Sequence, residues 1–266
     1  MDFILPDWEK NSYKGERGKV LVIGGSAGYY GAPILTALGA EHAGADLITL
    51  LLPNQHKEIA KSYSLNFFIH SFGNENDIAF TNLDTIIKLT EKCDAMVIGN
   101  GLKINEENIK ALLAIFENIS VPVIIDAGAL QAEILQLLEI KKSYWILTPH
   151  KKEFERVFDI EATLENLTKL AKKRDLTICL KGVVDYVADK NSLYENRTGI
   201  PEMRIGGTGD VLAGIIASYV AQGIAPFEAS CSAVYHYGKC AEKLLTLQKN
   251  FTALELIRYY GHFFKN

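Results

Sequence analysis

The chain has 266 residues, 48% of them hydrophobic, which is long enough and apolar enough for one large domain with a buried core. Its 28 Lys and Arg against 32 Asp and Glu give a net charge of −4, which offers no basic surface for nucleic acid or an anionic membrane. Residues 1–19 lack a secretory signal pattern, no apolar run is long enough to span a membrane, and the four cysteines lack Cys-x-x-Cys spacing, so we expect a cytoplasmic protein that acts on small molecules.

Short apolar runs that end in glycine or polar residues recur along the first two thirds of the chain. Such runs are typical of buried parallel strands. We predict strands at 19–23, 46–52, 95–98, 122–126, 144–148 and 177–180. The segments between them predict helices at 33–44, 55–63, 83–92, 106–118 and 130–138. Residues 66–80 mix aromatic side chains with a polar loop and predict no element.

The last third of the chain has a different pattern. Alternation within residues 183–196 predicts a hairpin of two strands, and three helices are expected at 208–222, 226–247 and 253–264. Gly223 is placed to end the first of these helices. Strand and helix alternation over the whole chain predicts an α/β fold, in one domain over 1–266, with a parallel sheet covered on both faces.

Glycine and polar segments follow five of the predicted strands, at 24–26, 99–101, 126–128, 148–150 and 181–182. In parallel sheets, ligands bind outside the carboxyl ends of the strands. We therefore expect these five segments to converge on one rim.

Residues 204–214 read Arg-Ile-Gly-Gly-Thr-Gly-Asp-Val-Leu-Ala-Gly, a tight loop that opens a helix. The main-chain N–H groups of Gly207, Thr208 and Gly209, with the positive end of the helix dipole, predict an anion site. Asp210 at its mouth is the candidate catalytic base, expected to be ionised and to take a proton from a hydroxyl group that faces a phosphate. The alternative is that Asp210 only caps the helix. No P-loop pattern occurs, so a nucleotide site here belongs to another class.

Several other side chains have two interpretations each. Lys181 would neutralise a nucleotide phosphate or be an ordinary solvated lysine, and His150 would contact substrate or cap a helix. Asp126 would bind loop amides, organise a metal and its water, or be purely structural. The pair Tyr29 and Tyr30 would stack on a planar ring or cover the rim. The six histidines lack ligand spacing, so we expect any metal to be Mg²⁺ that arrives with a nucleotide.

Five segments, at 19–26, 30–33, 147–153, 180–182 and 206–214, resemble in order the ribokinase-like superfamily and, within it, the NAD(P)H-hydrate dehydratase family. The resemblance implies a three-layer α/β/α sandwich with a mostly parallel sheet. It also implies a lyase reaction in nicotinamide cofactor repair: ADP or ATP, with Mg²⁺, phosphorylates the ring hydroxyl of the S form of NADHX or NADPHX. Phosphate then leaves, which restores NADH or NADPH.

The resemblance also assigns residues. Asp210 would deprotonate the ring hydroxyl, and the hydrated cofactor would contact Asp210 and three other residues, Ala32, Gly101 and His150. The nucleotide would be held by Lys181, Gly182, Val183, Val184, Asp185, Gly207, Thr208 and Gly209. A homotetramer is implied, as is a separate NAD(P)H-hydrate epimerase as pathway partner, because no epimerase domain is expected in this chain.

Two alternatives to the dehydratase are a kinase of the same superfamily, acting on a vitamin precursor or sugar alcohol, and a nucleotide-binding protein without catalysis. Two departures from the family pattern bear on them. Asn100 and Lys103 stand in Gly99-Asn100-Gly101-Leu102-Lys103 where the family usually has Gly-Pro-Gly-Leu-Gly. Gly128 replaces the second acid of the usual Asp-Ala-Asp-Ala-Leu.

Overall fold

A computed structural model of the chain describes Phe3, Leu5, Ile78 and residues 13–72, 83–139 and 144–263. Within these residues one sheet of nine strands runs through the centre. The strands are β1 (Lys19–Ile23), β2 (Leu47–Pro53), β3 (Phe67–Phe72), β4 (Ala95–Ile98), β5 (Val123–Ile125), β6 (Trp145–Leu147), β7 (Thr177–Leu180), β8 (Asp185–Ala188) and β9 (Leu193–Asn196). Their order is β3-β2-β1-β4-β5-β6-β7-β8-β9. The pairs from β3 to β7 are parallel, and β8 and β9 continue the sheet as an antiparallel hairpin.

Helices cover both faces of the sheet. They are α1 (Gly31–His42), α2 (Lys57–Lys61), α3 (Leu83–Thr90), α4 (Glu106–Asn118), α5 (Lys151–Phe158), α6 (Leu164–Arg174), α7 (Thr208–Ala221), α8 (Pro226–Leu245) and α9 (Ala253–Phe263). Alternate side chains of β1 enter opposite cores. Val20 and Val22 pack in a cluster with α1, α7, α8 and α9, while Leu21 and Ile23 pack in a second cluster with α3 to α6. The predicted three-layer α/β/α architecture is therefore confirmed.

Helices α1 and α7 pack with their main chains in contact. A Cβ added at Gly39 of α1 would collide with the main-chain oxygen of Val211, and one at Gly214 of α7 would collide with that of Thr36. Glycine at these two positions is what allows the two helices to approach so closely. Because Ala32 lies at the start of α1 and Asp210 at the start of α7, this contact sets the distance between them.

The predicted elements agree with the structure to within a few residues, with two exceptions. The helix expected at 130–138 is a 3₁₀ helix at Ala132–Glu139 and not an α-helix, and a separate 3₁₀ turn at Ala127–Ala129 precedes it. The helix expected at 55–63 is a 3₁₀ turn followed by the short α2.

Two elements of the structure, α6 and β3, were not predicted at all, and β3 lies in the segment for which no element was expected. The strand sits at the edge of the sheet and its residues alternate between half-buried and exposed, so it lacks the continuous apolar run of a central strand. Residues 73–77, 79 and 80 of that segment lie outside the described residues.

In the described part of the chain, no helix combines the length and apolar character needed to cross a membrane.

Candidate active site

The polar segments at the carboxyl ends of the strands converge on one rim, as predicted. Main-chain hydrogen bonds join neighbouring segments: Gly25 N–H donates to the oxygen of Asn100 over 2.8 Å, and Lys181 N–H donates to the oxygen of Pro149 over 2.8 Å. Asp126 N–H donates to the oxygen of Ile98 at the end of β4. The segments are thus held against one another by the main chain.

Asp210 is the third residue of α7. Gly207 occupies the N-cap position with a φ of 97°, a left-handed conformation that glycine adopts without strain, and no side chain caps this helix. The alternative that Asp210 is the N-cap is therefore wrong. The N–H groups of Thr208 and Gly209 belong to the first turn, where an α-helix provides no acceptor for them, so they are the donors that the predicted anion site would use.

A continuous chain of polar side chains connects Lys181 to Asp210. Lys181 Nζ donates to Asp126 Oδ1 over 2.7 Å, and Asn100 Nδ2 donates both to Asp126 Oδ2, over 2.9 Å, and to Asp210 Oδ1, over 2.6 Å. The Lys181 side chain is only 17% exposed, so it is not the solvated strand-end lysine of the alternative interpretation. Asp126 is bound by two side chains, and both of its carboxylate oxygens are engaged.

Burial and charge act in opposite directions on this chain. Burial raises the pKa of Asp210 to about 6, and the hydrogen bond from Asn100 and the charge of Lys181 oppose that shift, while the charges of Asp126 and Glu153 add to it. Burial lowers the pKa of Lys181, but the negative charges of Asp126 and Glu153 outweigh it, so the net pKa is raised. Asp210 is then mostly ionised at pH 7, as expected, and is a stronger base than an exposed aspartate.

A cavity of about 400 Å³ opens beside the N-terminus of α7. Lys181, Gly182, Val183, Val184, Asp185, Thr208 and Gly209, seven of the eight residues predicted to bind nucleotide, line it. The eighth, Gly207, lies outside this lining, and a Cβ on it would meet Leu35. Lys181 Nζ lies 3.3 Å from the position that a Cβ would take on Gly209, which places an ammonium group directly against the anion site.

Sequence reasoning missed the opposite wall of the cavity. That wall consists of Arg197, Thr198, Gly199, Ile200, Pro201, Met203 and Arg204, with Leu212, Val234, Tyr237 and Gly238 from α7 and α8. The only signals in the sequence were the glycines at 199 and 238. The structure explains them: Gly199 has a φ of 101°, and a Cβ on Gly238 would collide with the Thr198 hydroxyl. The wall is largely apolar with two arginines at its edge, which suits an aromatic base joined to phosphates.

The three other residues predicted to contact the hydrated cofactor lie outside the lining of this cavity. Ala32 and Gly101 are together, since a Cβ on Gly101 would lie 3.2 Å from the Ala32 Cβ. His150 caps α5: its Nδ1 accepts from Glu153 N–H over 3.2 Å, and Glu153 Oε2 accepts from His150 N–H over 2.9 Å. Its Nε2 lies 3.5 Å from Glu153 Oε1, and the His150 side chain is 53% exposed, so the ring remains accessible only in part.

Asp210 connects the two regions. It follows Gly209, which lines the cavity, and it is hydrogen-bonded to Asn100, which precedes Gly101. Sequence reasoning noted Asn100 only as a departure from the family pattern. Its contact with Asp210 spans 110 positions of the chain, so no local pattern could have revealed it.

The exposed pair Tyr29 and Tyr30 lies at the rim, and the Tyr30 ring lies 5.6 Å from that of His56. Among the described residues, no group of three or more His, Cys, Asp or Glu side chains is placed to hold a metal ion. Mg²⁺ bound to a nucleotide keeps phosphate oxygens and water as its main ligands, and the first-turn amides of α7 and Lys181 provide a suitable cradle for that phosphate group.

Comparison with known proteins identifies the family. Residues 20–260 match the family model described as NAD(P)H-hydrate dehydratase. The chain is 34% identical, over 260 residues, to the ADP-dependent (S)-NAD(P)H-hydrate dehydratase of Cenarchaeum symbiosum, covering 95% of this chain and 90% of that protein. It is 35% identical, over 254 residues, to the bifunctional NAD(P)H-hydrate repair enzyme Nnr of Archaeoglobus fulgidus, covering 94% of this chain and 51% of that protein.

Solved structures agree with this result. The ADP/ATP-dependent NAD(P)H-hydrate dehydratase of Bacillus subtilis, co-crystallised with ATP and Mg²⁺, superposes with a TM-score of 0.82 at 28% identity, covering 98% of this chain and 94% of that one. A ribokinase-like superfamily protein of Enterococcus faecalis, at 24% identity and a TM-score of 0.86, covers 98% of this chain and 91% of that one and shows the shared fold. The chain belongs to the NAD(P)H-hydrate dehydratase family and has the ribokinase-like fold.

Proposed function

We propose that this protein dehydrates the S form of NADHX or NADPHX to NADH or NADPH, with ADP or ATP as phosphoryl donor. The observation that carries the proposal is the position of Asp210, between a cavity that suits a nucleotide and the neighbouring pair Ala32 and Gly101. ADP is the donor that we test first, since the relatives from Cenarchaeum symbiosum and Nitrosopumilus maritimus, at 34% and 33% identity, are named ADP-dependent.

The nucleotide side of the site binds and neutralises phosphate. The N–H groups of Thr208 and Gly209 and the ammonium group of Lys181 face the cavity where the terminal phosphate would lie. Fixed donors of this kind stabilise a phosphoryl group as it transfers. Mg²⁺ brought with the nucleotide would neutralise further negative charge on the phosphates beside these residues.

The substrate side supplies the proton acceptor. Asp210, buried and with a pKa raised to about 6, takes the proton of the ring hydroxyl as the hydroxyl oxygen attacks the terminal phosphorus. AMP or ADP leaves as the phosphate ester forms, and phosphate in this ester is a better leaving group than the hydroxide of the free alcohol. Loss of phosphate, together with a ring proton, then restores the double bond of the reduced nicotinamide. Ala32, Gly101 and His150 would contact the hydrated ring and its ribose phosphates.

The test is to incubate the purified protein with NADHX, Mg²⁺ and either ADP or ATP, and to follow the absorbance of the reduced nicotinamide ring. We expect the absorbance to recover and one phosphate to be released for each NADH that forms. No recovery with either nucleotide, using folded protein, would contradict the proposal. A stable phosphate ester of a vitamin precursor or sugar alcohol, without release of phosphate, would instead identify a kinase.

We further propose that the protein works as a cytoplasmic homotetramer with a separate NAD(P)H-hydrate epimerase as pathway partner. Relatives named bifunctional NAD(P)H-hydrate repair enzymes support a second repair activity in the same pathway, and the chain spans about half of their length. Light scattering after gel filtration measures the oligomeric state. Adding an epimerase to a mixture of both epimers should raise the yield of NADH from about half to nearly all of the hydrate.

A further inference from the structure

Asn100 lies between two carboxylates that are far apart in sequence. It occupies the turn after β4, between Gly99 with a φ of 123° and Gly101 with a φ of 73°, and its main-chain oxygen accepts from Gly25 N–H. Both flanking glycines adopt conformations that other residues rarely take, so the turn is specific. The main chain of Asn100 is therefore fixed from both sides, and its side chain is directed into the protein, where it is fully buried.

The amide of Asn100 has an unequal set of partners. Its Nδ2 group donates one hydrogen to Asp126 Oδ2 and the other to Asp210 Oδ1, whereas its Oδ1 is buried and has no hydrogen-bond partner among the described residues. The reverse orientation would direct an oxygen at two carboxylates. A buried acceptor without a partner is destabilising, but hydrogen bonds to charged groups are stronger than those between neutral groups. The two bonds to Asp126 and Asp210 explain why this orientation is maintained.

We propose that Asn100 is a positioning residue that holds the Asp210 carboxylate against the Asp126–Lys181 pair and turns its second oxygen toward the ring hydroxyl. This rests on the function proposed above. The bond from Asn100 uses Oδ1 of Asp210 and leaves Oδ2 to receive the proton. Because Lys181 lines the nucleotide cavity, the same chain of hydrogen bonds fixes the base relative to the phosphate it serves.

Removal of this donor has a defined electrostatic consequence. The groups that act on Asp210 are Asn100, Asp126, Glu153 and Lys181, and the Tyr237 hydroxyl also lies near it. Without the two N–H donors, nothing bridges the Asp126 and Asp210 carboxylates as Asn100 does, and Lys181 alone offsets their charges. A carboxylate that loses a hydrogen bond to its ionised form becomes easier to protonate, by roughly half a unit to one unit for each bond.

Two variants and one control test the proposal. Asn100→Ala removes both donors, and Asn100→Asp keeps the shape but adds a third carboxylate. Gln222→Ala is the matched control, because the Gln222 amide also donates through Nε2 with a buried, unpaired Oε1. Gln222 lies about 18 Å from Asp210, at the other end of α7. All three variants lose amide hydrogen bonds, but only the first two lose them at Asp210.

Two readouts are used on each variant that folds. The first is the pH dependence of kcat/KM for NADHX with ADP. The second is ¹³C NMR of aspartate-labelled protein without ligands, in which the Asp210 resonance is assigned by its absence in Asp210→Asn. We expect the midpoint of the Asp210 NMR titration and the acid limb of the kcat/KM profile to shift together to higher pH. The shift should be roughly half a pH unit to one pH unit in Asn100→Ala and larger in Asn100→Asp. Gln222→Ala should leave both where they are.

Midpoints of Asp210 in both Asn100 variants that equal the wild-type midpoint would overturn the proposal. A shift of the same size in Gln222→Ala would also overturn it, because the effect would then come from general loss of packing. The NMR readout needs no substrate. If the wild-type protein fails to convert NADHX with either nucleotide, the proposed function is lost, while the titration still decides whether Asn100 sets the state of Asp210.

Discussion

Lys181 Nζ lies 2.7 Å from Asp126 Oδ1, and this ion pair is the point where the buried core of the sheet meets the nucleotide cavity. The Asp126 side chain is 3% exposed and that of Lys181 17%. A buried carboxylate that loses its partner is strongly destabilising, whereas an exposed one is not. The same lysine thus pairs with a buried carboxylate and lines the cavity, and its contributions to stability and to the proposed nucleotide binding can be separated by experiment.

Lys181→Met should weaken ADP binding by roughly 10- to 100-fold, because a charged donor to phosphate is lost. It should also lower the free energy of unfolding by about 2 to 4 kcal/mol, because Asp126 is left buried without its cationic partner. Isothermal titration with ADP and urea denaturation measure the two effects. Adding Asp126→Asn to the same chain should restore most of the stability but none of the affinity.

The matched control for this prediction is Lys190→Met. Lys190 pairs with Asp175 on the surface, with half of its side chain exposed, and lies outside the cavity lining. We expect a change below about 0.5 kcal/mol in stability and no change in ADP affinity. An ADP affinity that is equal in Lys181→Met and the wild type would remove Lys181 from the nucleotide site.

Asp210→Asn should reduce turnover of NADHX by roughly 10²-fold or more, because the general base is lost. The dissociation constant for ADP should stay within about twofold, since the first-turn amides and Lys181 are unchanged. Stopped assays of phosphate release and titration with ADP measure these values. Asp84→Asn, an acid in the first turn of α3, should leave both unchanged; full turnover in Asp210→Asn would show that another group accepts the proton.

The pH dependence of turnover follows from the pKa of Asp210, which burial raises to about 6. Below this pH the carboxyl is protonated and cannot accept the hydroxyl proton. We therefore expect kcat/KM to fall about tenfold for each unit below pH 6 and to level off between pH 7 and 8. In the Asn100 variants, the acid limb of the kcat/KM profile should shift together with the pKa of Asp210. An acid limb near pH 4 would identify an exposed carboxylate as the base.

The pH dependence of the free energy of unfolding should also depend on the Asp210 carboxyl group. Since the pKa of Asp210 is raised to about 6 by burial, the folded protein binds more protons than the unfolded chain between pH 4 and 6, and the free energy of unfolding falls as pH rises through that window. Asp210→Asn removes this loss. The free energy of unfolding of Asp210→Asn minus that of the wild type should increase between pH 4 and 6 by up to about 3 kcal/mol and be constant above pH 7.

Urea denaturation of the two proteins at pH 4.5 and 7.5 provides this comparison. The result does not depend on any substrate. An advantage that is equal at both pH values would show that the Asp210 carboxyl is not buried in solution.

Gly128 should not accept the acid that the family pattern has at this position. A Cβ on Gly128 would collide with the main-chain oxygen of Leu102 and come 3.0 Å from the Leu102 Cβ. We expect Gly128→Asp to lower the free energy of unfolding by about 1 to 3 kcal/mol, measured by urea denaturation. Gly28→Ala is the control, because nothing lies within 4 Å of its added Cβ; equal losses in the two variants would argue against a local collision.

The sequence predicted those parts of the fold that depend on continuous local patterns. The strand at Lys19–Ile23, the helix at Glu106–Asn118 and the hairpin within residues 183–196 were all confirmed because apolar period and turn residues agree there. Segments with weaker patterns failed. The edge strand β3 has one exposed face, and the 3₁₀ segment at Ala132–Glu139 has a helical apolar period without α-helical geometry.

The candidate site divides in the same way. Asp210 and Lys181 lie next to glycine patterns that predict an anion site, so the local sequence was enough to make them candidate site residues. Asn100 was noted only as a departure, because its partner Asp210 is 110 positions away. The cavity wall from Arg197 to Arg204 was missed, since irregular segments show no period.

The close contact of α1 and α7 through Gly39 and Gly214 has a consequence for how this protein can vary. The separation of Ala32 from Asp210 is determined by these two glycines, which lie outside the cavity lining. Substitutions in the exposed loops can therefore change which compounds enter the cavity while Ala32 and Asp210 keep their spacing. A larger side chain at either glycine would have the opposite effect, because it would push α1 and α7 apart. The residues around the site would stay the same, but Asp210 would move away from Ala32.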